Sequence, residues 1–414
     1  MRFLHIADVH LDTSFTGRSE AVRRQLREAA RGAFRRAVDV AIREEVQALL
    51  VAGDLFDGDR LSFQTERFLL EQATRLGDHD ITVVYATGNH DPGSLDRGPR
   101  RLPWPANVRV AADATPQRFL IADRTGAPVG HVSAIGHATS EVSEDLSRRL
   151  PRPKGDLPEV ALLHTQVRTS LGAADHGAYA PSDLTYLRHA GFDYWALGHV
   201  HVRQQLCEDP PIWYPGSPQG KTNADTGERG GLLVDLSDRL APSVTFRPLA
   251  GVRWETLEVD RLDDVGTLDE LERTIHFAWE ARREADSGSD AEWMARVVLS
   301  GPCPLWSELR RGEEVEMLGR ELRDILGAID VTVLADAVHP VFPIEEHRAR
   351  TDVLGQALRM VDRLGRGESI LDVDASELVG APSDDPLAIE AYVRRLLADA
   401  EGEVAARLLA SGDS

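Results

Sequence analysis

Five short motifs in the first half of the chain each set a metal-binding side chain beside a turn. They are Asp8-Val9-His10, Gly53-Asp54, Gly88-Asn89-His90-Asp91, Leu163-His164-Thr165 and Gly198-His199-Val200-His201. Together they offer two separate Asp, an Asn and several imidazoles, a donor mixture suited to two divalent cations bridged by a carboxylate. Two cations held about 3.5–4 Å apart activate a shared water and clamp a phosphate for in-line attack. The chemistry expected is therefore metal-assisted hydrolysis of a phosphate ester. Oxygen and nitrogen donors without thiolate make Mn2+ the first expectation for both ions, with iron and zinc as alternatives. No comparable motif supports a Cys or Ser nucleophile.

Asp8 and His10 are two residues apart, so at a strand end both side chains face one way and can share a cation. Alone, such a pair reads as a surface or capping pair. Gly53 permits the tight turn that aims Asp54 over the sheet edge, and a carboxylate has the two oxygens needed to bridge. An N-cap or Asx turn is the plain alternative for Asp54, and Asp57 and Asp59 are taken as solvated loop acids. Asn89 brings a neutral amide oxygen, which limits negative charge where a phosphodiester must bind. His90 can then stabilise charge on the phosphate or protonate the leaving oxygen, with Asp91 orienting its ring. His164 is a single imidazole whose assignment depends on its place in the series, whereas His199 and His201 form a chelating H-x-H pair. Five of the 14 histidines fall in these motifs. The others, including His5, His131, His137 and His189, are read as ordinary.

Elements must place these side chains together. Residues 2–7, 47–52 and 81–86 read as strands, separated by helices over about 20–45 and 63–75, which implies a largely parallel sheet with right-handed crossovers. Short strands follow at 117–122 and 129–135, then at 160–163, 194–197, 212–215 and 230–236, with a surface loop at 151–158. Every motif lies just past a strand's carboxyl end, where open α/β sheets build their sites. The expected fold is a two-sheet α/β sandwich over residues 1–250. Residues 251–340 read as a small α/β capping domain: strand 253–259, helix 267–284, strand 293–299, helix 306–327, strand 331–336. Residues 341–414 look helical, with one helix over 352–365 and another over 386–409, and with Gly380, Pro382 and Pro386 breaking the connection.

Composition limits the partners. The net charge is −21, but residues 1–250 carry 32 acidic and 29 basic residues against 36 and 18 in residues 251–414. The motif-bearing part is nearly neutral, and the acidic excess elsewhere would repel DNA. Only Lys154 and Lys221 among the 47 basic residues are lysines. Seven arginines between Arg18 and Arg36 could contact phosphates or form an ion-paired helix face. Cys207 and Cys303 rule out a disulfide scaffold. No stretch approaches the roughly 18 apolar residues that span a bilayer, and the apolar run at Met1–Ala7 is too short for a signal peptide. A cytoplasmic protein without membrane contact is expected.

These residues resemble the calcineurin-like metallophosphoesterase superfamily and, more narrowly, SbcD-type DNA repair exonucleases, in particular a shorter bacterial branch. The likeness rests on Asp8-Val9-His10-Leu11-Asp12, Gly53-Asp54-Leu55-Phe56-Asp57, Gly88-Asn89-His90-Asp91, Gly198-His199-Val200-His201 and Tyr214-Pro215-Gly216-Ser217-Pro218-Gln219. It implies metal ligands Asp8, His10, Asp54, Asn89, His164, His199 and His201, with His90 catalytic at the phosphate. It also implies a DNA substrate, contacted by Arg97, Arg100 and Arg101, so that binding falls steeply with salt. The implied partner is an SbcC-like coiled-coil ATPase docked on the C-terminal helices, and a second copy of the chain is a further candidate. One departure is Asp57, where many such exonucleases have His, which bears on cleavage polarity or efficiency. The alternatives are a phosphodiesterase for a small nucleotide and an inactive scaffold protein.

Overall fold

The computed structural model describes residues 1–57, 61–95, 98–171, 179–238, 241–284, 291–341, 344–366 and 400–410. Asp59, Arg97, the expected breakers and residues 386–399 of the last expected helix lie outside them. The chain divides into two compact units, Met1–Trp254 with Asp290–Trp293, and Glu255–Ser289 with Met294–Ser414.

The first unit contains β1 (Arg2–Ile6), α1 (Glu20–Arg43), β2 (Ala48–Ala52), α2 (Phe63–Gly77), β3 (Thr82–Ala86), β4 (Val108–Ala111), β5 (Gln117–Ala122) and β6 (Pro128–Ile135). It continues with β7 (Glu159–His164), α3 (Leu184–His189), β8 (Tyr194–Gly198), β9 (Gln204–Cys207), β10 (Ile212–Tyr214), β11 (Gly230–Asp235) and β12 (Ser243–Pro248). They form two six-stranded sheets, ordered β12-β11-β1-β2-β3-β4 and β5-β6-β7-β8-β10-β9. In each sheet four neighbouring strands are parallel, β1 to β4 in one and β6, β7, β8 and β10 in the other. Antiparallel strands complete the edges.

The apolar runs exist because both faces of these strands are covered. On β2, Leu49 and Val51 pack under α1 and α2, while Ala48, Leu50 and Ala52 face the second sheet. On β7, Val160 and Leu162 face the first sheet, and Ala161 and Leu163 pack with Leu187 of α3. The result is four layers: helices, sheet, sheet, helix. Ser19 caps α1 and Ser62 caps α2, each accepting a backbone N–H of the first turn.

His5 of β1 crosses the inter-sheet core. Its Nδ1 lies 3.1 Å from the Tyr194 hydroxyl and its Nε2 3.1 Å from the Leu197 carbonyl. Burial holds this imidazole neutral, with its pKa pulled down to about 3 although the Leu197 carbonyl opposes the shift. The unfolded chain binds the proton near the ordinary value of about 6.5 and the native chain does not. Native stability should therefore fall as pH drops from about 6.5 to about 3, by roughly 4–5 kcal/mol over that window. In a His5→Gln protein the acid limb of unfolding midpoint against pH should be shallower, and an unchanged limb would exclude this origin.

The second unit contains β13 (Val252–Val259), α4 (Leu268–Glu284), β14 (Glu292–Pro302), α5 (Gly312–Leu326) and β15 (Asp330–His339), with the first residues of β13 and β14 in the first unit. The helices α6 (Ile344–Arg348), α7 (Val353–Gly365) and α8 (Ala400–Ala410) follow. Its sheet runs β13-β14-β15, with β14 and β15 parallel. The helix expected from residue 306 begins only at Gly312, because 303–311 form turns, and it ends on Gly327 in the left-handed region at φ 61°. The apolar stripe of α7 is covered by its own unit: Leu354 and Leu358 cluster with Ala405 and Leu408 of α8. Arg348 of α6 pairs with Glu401 of α8 at 2.7 Å. No described helix is long and apolar enough to cross a membrane.

Candidate metal centre

The motif residues stand at the carboxyl ends of β1, β2, β3, β7 and β8, His164 as the last residue of β7 and the other donors on the loops that follow, so both sheets contribute to one rim. The loops after β1 and β2 extend the sheet pairing beyond it, with Asp8 N donating to Gly53 O, His10 N to Asp54 O and Leu11 N to Leu55 O. Four of the residues sit at left-handed backbone angles: Asp8 at φ 54°, His10 at 49°, Asp54 at 51° and His199 at 105°. Such angles are costly for residues with a Cβ and persist only where the surroundings impose them. Two glycines allow the close approach: a Cβ on Gly53 would strike the His164 ring, and one on Gly88 would strike the Asp54 carboxylate.

The donors converge in two groups. In one, His10 Nε2 lies 3.2 Å from His201 Nε2, and Asp8, His10 and His201 present atoms within 4.8 Å of one another. In the other, His164 Nε2 lies 2.9 Å from Asn89 Oδ1, and His199 Nδ1 lies 3.2 Å from that oxygen. Asp54 stands between the groups, with Oδ2 3.6 Å from His10 Nε2 and 3.4 Å from His164 Nε2. The structure thus brings together Asp8, His10, Asp54, Asn89, His164, His199 and His201.

This set fits a pair of cations on chemical grounds. Asp8 and Asp54 are both buried, and burial together with Asp54 pushes the Asp8 carboxyl well above the carboxylate range. Burial holds His10 neutral, with its pKa well below the imidazole value. His164 Nδ1 lies 2.9 Å from the Ala52 carbonyl, which directs the Nε2 lone pair into the cluster. Facing imidazole lone pairs and crowded, buried carboxylates are what divalent ions neutralise.

His90 stands at the mouth, with its side chain 43 % exposed and its backbone N–H donating to Asp54 Oδ1 at 2.9 Å. Its ring partner is not Asp91, as expected, but Asp57, whose Oδ1 is 2.6 Å from His90 Nδ1. Asp91 is buried and committed elsewhere. Its carboxylate accepts Gly88 N at 2.7 Å, Leu55 N at 2.5 Å and Asp54 N at 3.2 Å, and also the Tyr85 hydroxyl. Asp91 therefore fastens the two loops that carry Asp54 and Asn89. The Asp57 hydrogen bond raises His90 above the ordinary imidazole value against the opposing effect of burial. Burial raises Asp57, but the His90 hydrogen bond and charge outweigh it and leave that carboxyl lowered.

Further residues of the site escaped the sequence reading. His137, taken as ordinary, lies with Nε2 2.8 Å from the His164 carbonyl and its ring edge-on to His164 at 5.4 Å. Its place just past β6 was the available signal. Asp225 holds the Lys221 N–H at 2.9 Å and lies 3.9 Å from His201 Nδ1. The arginines of α1 mostly serve the fold: Arg23 and Arg27 pair with Glu20, Arg31 with Asp12 and Glu28, and Arg35 with Glu28. Arg100 is paired with Asp113. Arg101 is described, and Arg97 is not.

Comparison with known proteins gives concordant likenesses. The profile of the family described as "Calcineurin-like phosphoesterase" matches residues 1–203. The chain is 31 % identical over 310 residues to an uncharacterized metallophosphoesterase, YhaO, of Bacillus subtilis, covering 74 % of this chain and 73 % of that one. It is 26 % identical over 314 residues to the DNA double-strand break repair protein Mre11 of Sulfolobus acidocaldarius, covering 74 % and 76 %. One component of the nuclease SbcCD of Rhodobacter capsulatus is 28 % identical over 290 residues, covering 58 % and 68 %.

Proposed function

The chain belongs to the calcineurin-like phosphoesterase family, and from that premise we propose that it is a nuclease hydrolysing DNA phosphodiester bonds in DNA repair. The proposal includes exonuclease action, with endonuclease action in reach of the same site, and an SbcC-like coiled-coil ATPase as partner. A metal-dependent phosphodiesterase is the activity class; DNA is the substrate proposed within it. The observation that carries the reading is the convergence of six donors from both sheets around Asp54. The relatives named as a nuclease component and a strand-break repair protein favour DNA over a small nucleotide.

The proposed ligands are Asp8, His10, Asp54, Asn89, His164, His199 and His201, with Mn2+ as the first choice of ion. When bound, two such ions would polarise the phosphate and lower the pKa of water at the rim. The chain's own groups do the rest. Asn89 contributes an oxygen without adding negative charge. His90, whose protonated form the Asp57 hydrogen bond favours, is placed at the open side to give its proton to the departing oxygen. Arg97, Arg100 and Arg101 are the proposed phosphate contacts, and Arg100 would exchange Asp113 for the backbone. Since α8 covers the stripe of α7, a docked ATPase would meet the exposed Val353 and Met360 of that helix.

Purified protein loaded with Mn2+ should cleave single- or double-stranded DNA and also bis(p-nitrophenyl) phosphate. Ester cleavage without DNA cleavage would mean a small nucleotide substrate, and neither activity would mean a scaffold. The pH profile offers a second check. Activity that depends on protonated His90 falls as pH rises through its raised pKa. Asp57→Asn removes the largest cause of that rise, so the alkaline limb should move to lower pH. A limb that stays in place would remove the Asp57–His90 pair from the reaction.

A further inference from the structure

Lys221 is one of only two lysines in the chain, and it is seated beside the rim on Asp225, whose Oδ1 lies 3.9 Å from His201 Nδ1. It follows Tyr214–Gly220 out of β10, and its backbone is fixed on both sides. Gly220 O accepts the Trp254 indole N–H at 2.9 Å, and Asp225 Oδ2 accepts the N–H groups of Lys221 and Thr222 at 2.9 and 3.0 Å. The buried Gln219 just before it is tied to Val252, accepting its N–H at 3.2 Å and donating to its carbonyl at 2.6 Å. From this rigid seat the ammonium lies in the field of Asp57, Asp54, Asp225 and Asp8, and it acts in turn on His10 and His90. Yet it forms no ion pair or hydrogen bond with any described residue. Asp57 is matched with His90, and Asp225 faces Arg229 at 3.4 Å.

We infer that Lys221 is a phosphate-binding residue, whose ammonium takes a non-bridging oxygen of the scissile phosphodiester beside His90. The inference rests on the proposed nuclease function only in taking the anion to be a phosphodiester. Charge accounting supports it. Once two divalent ions stand against Asp8 and Asp54, those carboxylates need no ammonium, and Lys221 adds surplus positive charge to a partly dehydrated rim. Such a surplus suits an incoming phosphodiester anion that gains a second negative charge on attack. A compact ammonium reaches a single oxygen where a forked guanidinium would need more room. The plain alternative is that Lys221 only offsets the acids, in which case its loss should disturb metal loading rather than anion binding.

The test uses full-length Lys221→Met and Lys221→Arg proteins. It measures bound Mn2+ by elemental analysis, inorganic phosphate binding to the loaded protein by calorimetry, and KM and kcat on bis(p-nitrophenyl) phosphate. Lys221→Met should hold as much Mn2+ as the parent, bind phosphate about 10- to 100-fold more weakly and lose kcat/KM in parallel, with Arg restoring part of both. Unchanged phosphate affinity in a fully loaded Lys221→Met protein would overturn the inference, and so would loss of metal. If the parent binds phosphate but cleaves no diester, the nuclease reading falls while the Lys221 comparison still decides the inference. If the loaded parent binds no phosphate, the inference falls as well.

Discussion

Asp54→Asn protein should carry less metal than the parent and lose roughly 10³-fold or more of its activity on bis(p-nitrophenyl) phosphate. The expectation follows from position. Asp54 reaches both donor groups through one oxygen, 3.6 Å from His10 Nε2 and 3.4 Å from His164 Nε2. Its other oxygen accepts the His90 N–H, so the same side chain also holds the loop after β3. An amide of equal size keeps that acceptor but cannot bridge two ions as a carboxylate does. Misfolding would give the same loss of activity, and the metal-free proteins separate the two. Asp54 is a cause of the upward shift at Asp8, so removing its charge relieves a buried repulsion. The metal-free variant should therefore unfold at a temperature no lower than the metal-free parent. Full activity with two bound ions would remove Asp54 from the bridging role.

His90→Asn should do the opposite. Metal content should be unchanged, because the ring is engaged by Asp57 and is not among the seven proposed ligands, while turnover drops about 10²- to 10⁴-fold. The loss should depend on the leaving group. p-Nitrophenolate departs without a proton, so bis(p-nitrophenyl) phosphate should lose least, whereas DNA, which releases an alkoxide, should lose most. The alkaline limb should vanish with the ring. Equal losses on both substrates would mean that His90 acts on the phosphate charge and not on the leaving oxygen. Unchanged turnover would exclude it altogether.

The strand-end placement of the motifs was legible because each donor follows a run of apolar residues, and such runs mark strands buried on both faces. The two-sheet sandwich follows from the same runs. Edge strands were harder: β9 is short, both β9 and β12 are half exposed, and Ser243-Val244-Thr245-Phe246-Arg247-Pro248 has no apolar run to announce it. The partner of His90 was not legible either. Asp57 and Asp91 are both close in sequence to site residues, and spacing does not say which carboxylate reaches the ring. The backbone decides it. The left-handed turn at Asp54 swings Asp57 outward to His90, while Asp91 turns inward to Tyr85 and three amides. Lys221 was visible only as a rare residue type, since its approach to the rim depends on the return of the chain through β10.

Four of the gathered side chains stand on backbone that ordinary residues avoid. Glycine at positions 8, 10, 54 or 199 would ease the main chain, yet each such exchange deletes a donor. Selection for robustness alone would thus erode the rim, and a laboratory screen for heat tolerance should be expected to drift toward inert proteins unless catalysis is scored alongside. The converse also holds: grafting these side chains onto a relaxed sheet edge would not reproduce the cluster, because the unusual turns do the aiming.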